Sequence, residues 1–236
     1  MANLVIPGDR LHIEENKQVS AGPGVYCDPK TQQLRLVNAG LEVVNETKKG
    51  QSVYIEYNSK RYTPAVGDYV IVTIIASFSD SYKVSLSSFS TPVVLSYMSF
   101  PNATKKNKPT LKVGDLCYAR VSVAEKDLLA ELECMDSTTG KVGGFGLLEG
   151  GVVVDVPLAF SRELLFNNEY PLLPMLAKYT QLEVAIGVNG KIWINTEDVR
   201  TTLACYRSIK DCSTTTESQF KSVIKTHFKG LINSVE

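Results

Sequence analysis

The sequence predicts a multi-domain chain, mostly β and then α/β. It divides into an N-terminal β-hairpin domain over 1–63, a five-stranded barrel of OB type over 64–136, and a KH-type α/β domain over 137–236. Three observations carry this reading. Turn dipeptides crowd the first part too closely for helices. Two Val-Gly-Asp phrases, at Val66-Gly67-Asp68 and Val113-Gly114-Asp115, each launch a run rich in β-branched residues. The last part orders as β-α-α-β-β-α with one further helix, which is the order of a KH domain.

In the first domain, Leu4-Val5-Ile6 ends at a Pro7-Gly8-Asp9 turn, and Gly22-Pro23-Gly24 precedes Val25-Tyr26-Cys27. Asp28-Pro29-Lys30 turns into Gln33–Val37, and Gly40 opens Leu41–Val44. Lys48-Lys49-Gly50 then separates that run from Val53–Tyr57. Glycine and proline at this density make hairpins.

The barrel strands are expected at Tyr69–Phe78, Ser81–Leu86, Val93–Tyr97, Leu116–Val123 and Leu128–Cys134. Period-two alternation sends Tyr82, Val84 and Leu86 to one face, with Lys83 and Ser85 opposite. The same alternation turns Cys117, Ala119, Val121 and Val123 inward and Tyr118, Arg120 and Ser122 outward. Five short strands suffice for a small closed barrel. Asp136 to Gly151 holds six glycines and reads as a turn-rich connection.

In the third domain, Val152–Val156 suits a strand and Leu158–Phe166 a helix. A second helix is expected from Pro171, as first helical residue, to about Tyr179. Leu182–Ile186 and Lys191–Asn195 flank Asn189-Gly190, a hairpin signal that predicts positive φ at both residues. Thr196–Cys212 and Glu217–Val235 are helical by their apolar spacing.

Charge limits what the chain can bind. Lys plus Arg and Asp plus Glu both number 25, and between Pro64 and Met135 each sign numbers seven. Nucleic acid could be held only by a local patch. One patch stands out: Asn102 to Gly114 carries Lys105, Lys106, Lys108 and Lys112 and no acid. Near it in sequence or on strand faces lie Phe78, Tyr82, Tyr97, Phe100, Tyr118 and Arg120. Cations beside exposed aromatic rings suit single-stranded nucleic acid. A solvated loop with the aromatics in the core fits the composition equally well.

No catalytic constellation is visible. His12 and His227 lie in different domains with no partner pattern, and no carboxylate spacing suggests a two-metal nuclease. The five cysteines (Cys27, Cys117, Cys134, Cys205 and Cys212) contain no CxxC pair. That excludes a zinc ribbon and argues against a disulfide framework, which favours a reducing interior. No signal pattern and no apolar run of eighteen residues is present, so neither a membrane nor a cofactor is expected. The KH part also lacks the usual RNA clamp. Its helix–helix junction, Phe166 to Pro171, has no glycine and carries Glu169. The one G-x-x-G string, Gly187-Val188-Asn189-Gly190, falls between strands, where it reads as a turn.

The phrases FSDSYKVSL, LSYMSFPNATKKNKPTL and VGDLCYARV resemble the S-one (S1) variety of OB barrel, in the form found in cap subunits of the RNA exosome. The likeness runs from Pro7-Gly8-Asp9 to the C-terminal helices. Gly22-Pro23-Gly24 with Tyr26, Asp28, Arg35 and Gly40 is similar to the N-terminal domain of those subunits. Gly187-Val188-Asn189-Gly190 followed by Lys191-Ile192-Trp193 resembles their signature, which is structural and packs near the barrel. The resemblance implies a non-catalytic, RNA-binding cap on a ring of RNase PH-like subunits. It would sit beside other caps and guide single-stranded RNA toward a separate 3′-to-5′ exoribonuclease in RNA degradation and rRNA processing. DNA is not an expected partner. Nucleus, nucleolus and cytoplasm are the implied locations. Lys105, Lys106, Lys108, Lys83, Tyr82 and Arg120 are the expected RNA contacts, and Gly187, Asn189, Gly190 and Trp193 the structural motif. Two rivals are a free-standing S-one translation or RNA-chaperone factor and a nuclease subunit in its own right.

Overall fold

A computed structural model of the chain describes residues 3–13, 17–47, 50–104, 107–125, 128–136 and 138–232. The chain divides into two compact units, Met1–Ser59 and Lys60–Glu236.

The first unit contains strands β1 (Asn3–Val5), β2 (Val19–Ala21), β3 (Val25–Cys27), β4 (Leu34–Leu36), β5 (Gly40–Thr47) and β6 (Gly50–Glu56). Four of them form a sheet in the order β1-β5-β6-β2, and β3 and β4 form a separate hairpin. The three-residue β2, parallel to β6, is too short to leave a pattern in the sequence. Lys48 and Lys49 lie outside the described residues. Val5, Leu36 and Ile55 form a small core. His12 does have a partner: its backbone N–H donates to Glu42 Oε1 at 2.7 Å, and its Nδ1 meets Oε2 at 2.7 Å. That pairing satisfies a carboxylate that is otherwise buried.

The second unit opens with the barrel: β7 (Tyr69–Ser77), β8 (Ser81–Ser85), β9 (Val93–Ser96), β10 (Leu116–Val123), β11 (Glu131–Glu133) and β12 (Gly146–Leu148). The order is β11-β9-β8-β7-β10-β12, and β11 also pairs with β10, which closes five strands into a cylinder. The S1-type barrel expected from the sequence is therefore present. Tyr82, Val84 and Leu86 point into its core, as do Cys117, Ala119 and Val121. Val123 does not follow them inward, because the β10–β11 register shifts between Val121 and Val123. The last strand is shorter than expected, and Leu128 and Leu129 stand exposed before it. The glycine-rich connection contributes β12, which pairs Leu116, Cys117 and Tyr118 of β10 with Leu148, Leu147 and Gly146.

The KH fold follows as β13 (Val152–Asp155), α1 (Leu158–Phe166), α2 (Leu172–Leu176), β14 (Glu183–Gly187), β15 (Lys191–Asn195), α3 (Val199–Cys212) and α4 (Phe220–Ile232). Its antiparallel sheet runs β13-β15-β14. Pro171 is the residue before α2 rather than its first, and the helix stops at Leu176. Asp198 caps α3 by accepting from the Thr201 backbone N–H. A single 3₁₀ turn, Glu217–Gln219, leads into α4. Ile192, Ile194, Cys205, Ile209, Phe220 and Ile224 make the centre of this second core.

Four cysteines are buried and Cys27 is exposed. Burial pushes the Cys117 thiol up to about 12 and those of Cys205 and Cys212 up to about 11, and raises Cys134 as well. Near neutral pH these thiols remain protonated and inert. A small aromatic disulfide reagent is expected to modify Cys27 promptly and the other four only as urea unfolds the chain. More than one fast thiol in the folded protein would overturn this.

Candidate nucleic-acid interface

The lysine-rich loop joins β9 to β10, and its shape depends on a residue beneath it. Tyr82, expected as an RNA-stacking ring, is 2% exposed and has no free face. Its alternation places it in the core, and its hydroxyl reaches the loop from below. It donates to the Pro109 carbonyl at 2.5 Å and accepts from the Leu111 N–H at 3.0 Å. Burial raises the pKa of this hydroxyl, so it stays a donor. Tyr97 is also buried and donates to the Phe78 carbonyl.

Lys105 and Lys106 lie outside the described residues. Lys108 is exposed; its Nζ donates to the Ser79 carbonyl at 2.7 Å and lies 5.2 Å from the centre of the Tyr97 ring. Lys83 is exposed on β8. Arg120 pairs with Glu133 at 3.3 Å, which neutralises its charge where it stands. Of the aromatics near the loop, Phe78 is more than half exposed and Phe100 packs partly against the barrel core. Tyr118 stacks on Phe145 at 5.4 Å, and Tyr69 lies 5.6 Å from Phe145.

The G-x-N-G turn holds the barrel and the KH fold together. Residues 69–71 of β7 run past its pairing with β8, which begins at Thr73. The KH hairpin fills that gap. The Val188 N–H donates to the Tyr69 carbonyl at 2.8 Å. The Asn189 side chain accepts from the Ile71 N–H at 3.2 Å and donates to the carbonyls of Ile71 and Leu86, both at 2.8 Å. Positive φ occurs at Gly190 (76°) and not, as the turn signal predicted, at Asn189. Gly187 must lack a side chain, since a Cβ there would lie 2.3 Å from Asn189 Oδ1. Trp193 is 5% exposed, donates to the Gly150 carbonyl at 2.9 Å and packs with Ile71, Leu116 and Tyr118. Burial, with Tyr69 adding to it, pushes the Tyr118 hydroxyl up to about 12, and it donates across the same junction to the Ile186 carbonyl at 3.0 Å.

At the would-be KH clamp, the Glu169 N–H donates to Asn167 Oδ1 at 3.0 Å and Asn167 Nδ2 to Glu163 Oε1 at 2.7 Å. The junction stays exposed, and these two bonds order Asn167 and Glu169 on its surface. Among the described residues, no three His, Cys, Asp or Glu side chains gather to hold a metal ion, and no helix is long and apolar enough to cross a membrane. Sequence reasoning missed Phe145, which completes the aromatic cluster. An aromatic residue set between glycines, in Gly143-Gly144-Phe145-Gly146, was the available signal.

A closed S1-type barrel latched through an asparagine to a KH fold defines a class of nucleic-acid-binding architecture. Residues 62–146 match the family model of the exosome complex component RRP40 S1 domain, 151–200 a KH domain, and 19–61 the exosome complex exonuclease Rrp40 N-terminal domain. The chain is 55% identical to exosome complex component RRP40 of Saccharomyces cerevisiae over all of both chains. It is 35% identical to the Schizosaccharomyces pombe component, covering 90% of this chain and 89% of that one. A crystal structure described as that of an exosome complex RNA-binding protein shares the fold. Its TM-score is 0.59 at 22% identity, over 72% of this chain and 96% of that one. The chain belongs to the RRP40 family of exosome components.

Replacing Asn189 with alanine strands the Ile71 N–H and two carbonyls in a buried junction, at about 1–3 kcal/mol per unmet group. A loss of about 3 kcal/mol is expected in urea unfolding. Trp193→Ala should cost about 3–5 kcal/mol, the scale of aromatic core truncations. A change below about 1 kcal/mol in either variant would show that the junction does not hold the two folds together.

Proposed function

We propose that the chain is a non-catalytic, RNA-binding cap subunit of the RNA exosome, acting in the nucleus, nucleolus and cytoplasm. In this reading it binds RNase PH-like ring subunits and neighbouring caps. It guides single-stranded RNA toward a separate 3′-to-5′ exoribonuclease, with Lys105, Lys106 and Lys108 at the entrance and Lys83 nearby on the barrel. Family membership supports the assembly. The observation that carries the RNA contact is an acid-free loop fastened from beneath by Tyr82, with Lys108 exposed upon it.

In the assembled complex, each single-strand phosphate neutralised adds roughly 0.7 to the magnitude of the slope of log K against log salt. Replacing Lys105, Lys106 and Lys108 with alanine should therefore flatten that slope by up to about 2. An unchanged slope and affinity would make the loop merely solvated. The purified chain should not degrade RNA with magnesium or manganese present, and activity co-eluting with it through two columns would end the non-catalytic reading. Size exclusion of a native extract separates the cap from a free factor, which would run near 25.9 kDa.

A further inference from the structure

Between the lysine loop and the glycine-rich connection lies an open cleft of about 280 Å³. Its apolar lining includes Phe100, Val142 and Phe145, and its polar lining Asn102, Asn107 and Lys108. We infer that this cleft receives a single unstacked nucleobase of the RNA whose phosphates the loop lysines hold, so it rests on the RNA-binding reading above.

Size, chemistry and rigidity point the same way. The volume falls just below the roughly 300–1,000 Å³ usual for small-molecule sites, which suits one flat heterocycle rather than a whole nucleotide. Aromatic and aliphatic walls give a base the contact it loses on unstacking. Neither the Asn102 nor the Asn107 side-chain amide makes a hydrogen bond among the described residues, although both line the cleft. A carboxamide offers a donor and an acceptor side by side, the pattern that pairs with the amino and N7 groups of adenine. Lys108 brings a cation to the same cleft, where a backbone phosphate would follow the base. The walls are also preset. Tyr82 anchors the Pro109 carbonyl and the Leu111 N–H, Asn102 is held at φ 57°, and Phe145 is stacked on Tyr118. A lipid chain would use the apolar walls but leave the two neutral amides without partners.

The test uses the full chain and oligoadenylates in which one abasic residue is stepped along the strand, read by fluorescence anisotropy at low salt. Stacking of a single base supports an affinity loss of about fivefold or more when the abasic residue falls at the position the cleft occupies. Asn102→Gly, which retains the left-handed backbone, combined with Asn107→Ala should erase at least half of that loss and leave the salt slope unchanged. Thermal melting checks that the variant folds. As a second measurement, photoreactive adenosine should crosslink to Phe100, Asn102, Asn107 or Phe145. An abasic profile flat at every position, or crosslinks that avoid those four residues, overturns the cleft. If the lysine variant still flattens the salt slope in that event, the RNA-binding reading survives alone. If the slope does not respond to the lysines, that reading fails and the cleft falls with it.

Discussion

One asparagine sets how the second unit is built. Where β7 outruns β8, the barrel leaves the Ile71 N–H and carbonyl and the Leu86 carbonyl in need of partners, and buried backbone groups rarely go without them. The Asn189 carboxamide meets all three, with its acceptor on the N–H and its donor on the carbonyls. The side chain acts as a peptide group borrowed from the KH fold and inserted into the barrel's ladder. Around it, Ile71, Trp193, Leu116 and Tyr118 bury the apolar contact that makes the arrangement rigid. Gly187 and Gly190 follow from this constraint. The first gives the carboxamide room, and at the second a Cβ would lie 2.6 Å from the Val156 carbonyl oxygen.

This accounts for a KH domain without a KH clamp. A G-x-x-G loop grips RNA by leaving bare backbone exposed to phosphates. Here the glycines serve a buried hairpin, while the junction at Asn167–Tyr170 is satisfied internally. In this chain the KH fold buttresses the barrel, and fold alone does not carry function. Tyr82 repeats the logic on a smaller scale. A residue whose ring belongs to the core uses its hydroxyl to shape the loop outside.

Much of this was legible in the sequence, because it rests on local signals. Alternation at Tyr82–Leu86 and Cys117–Val121 placed the barrel strands, and Asn189-Gly190 placed the KH hairpin. What escaped depends on long-range contact. A three-residue strand such as β2 or β12 exists only because a longer partner pairs with it. Burial of Tyr82 agreed with its alternation, yet proximity to lysines made it look like a stacking ring. Period two says which face a residue occupies, and the inner face of a closed barrel cannot meet a ligand. Asn189 was read as a turn residue because Asn-Gly is a turn pair. That reading took its backbone for its purpose, while the side chain reaches a strand more than a hundred residues away in sequence.

The neutral charge balance then becomes intelligible. A strongly basic chain would hold nucleic acid anywhere along its surface. With 25 charges of each sign, attraction is confined to places where cations stand without acids nearby. Arg120 illustrates the rule, since pairing with Glu133 removes it from the field. Residues 102–114 carry no acid, their backbone is pinned by Tyr82 at Pro109 and Leu111, and Lys108 is held on the Ser79 carbonyl. A site of this kind gains affinity from preorganisation more than from total charge, because less ordering remains to be done on binding. On the proposed reading, its grip rests on a few phosphates and one base, so that a few local contacts rather than total charge orient the strand.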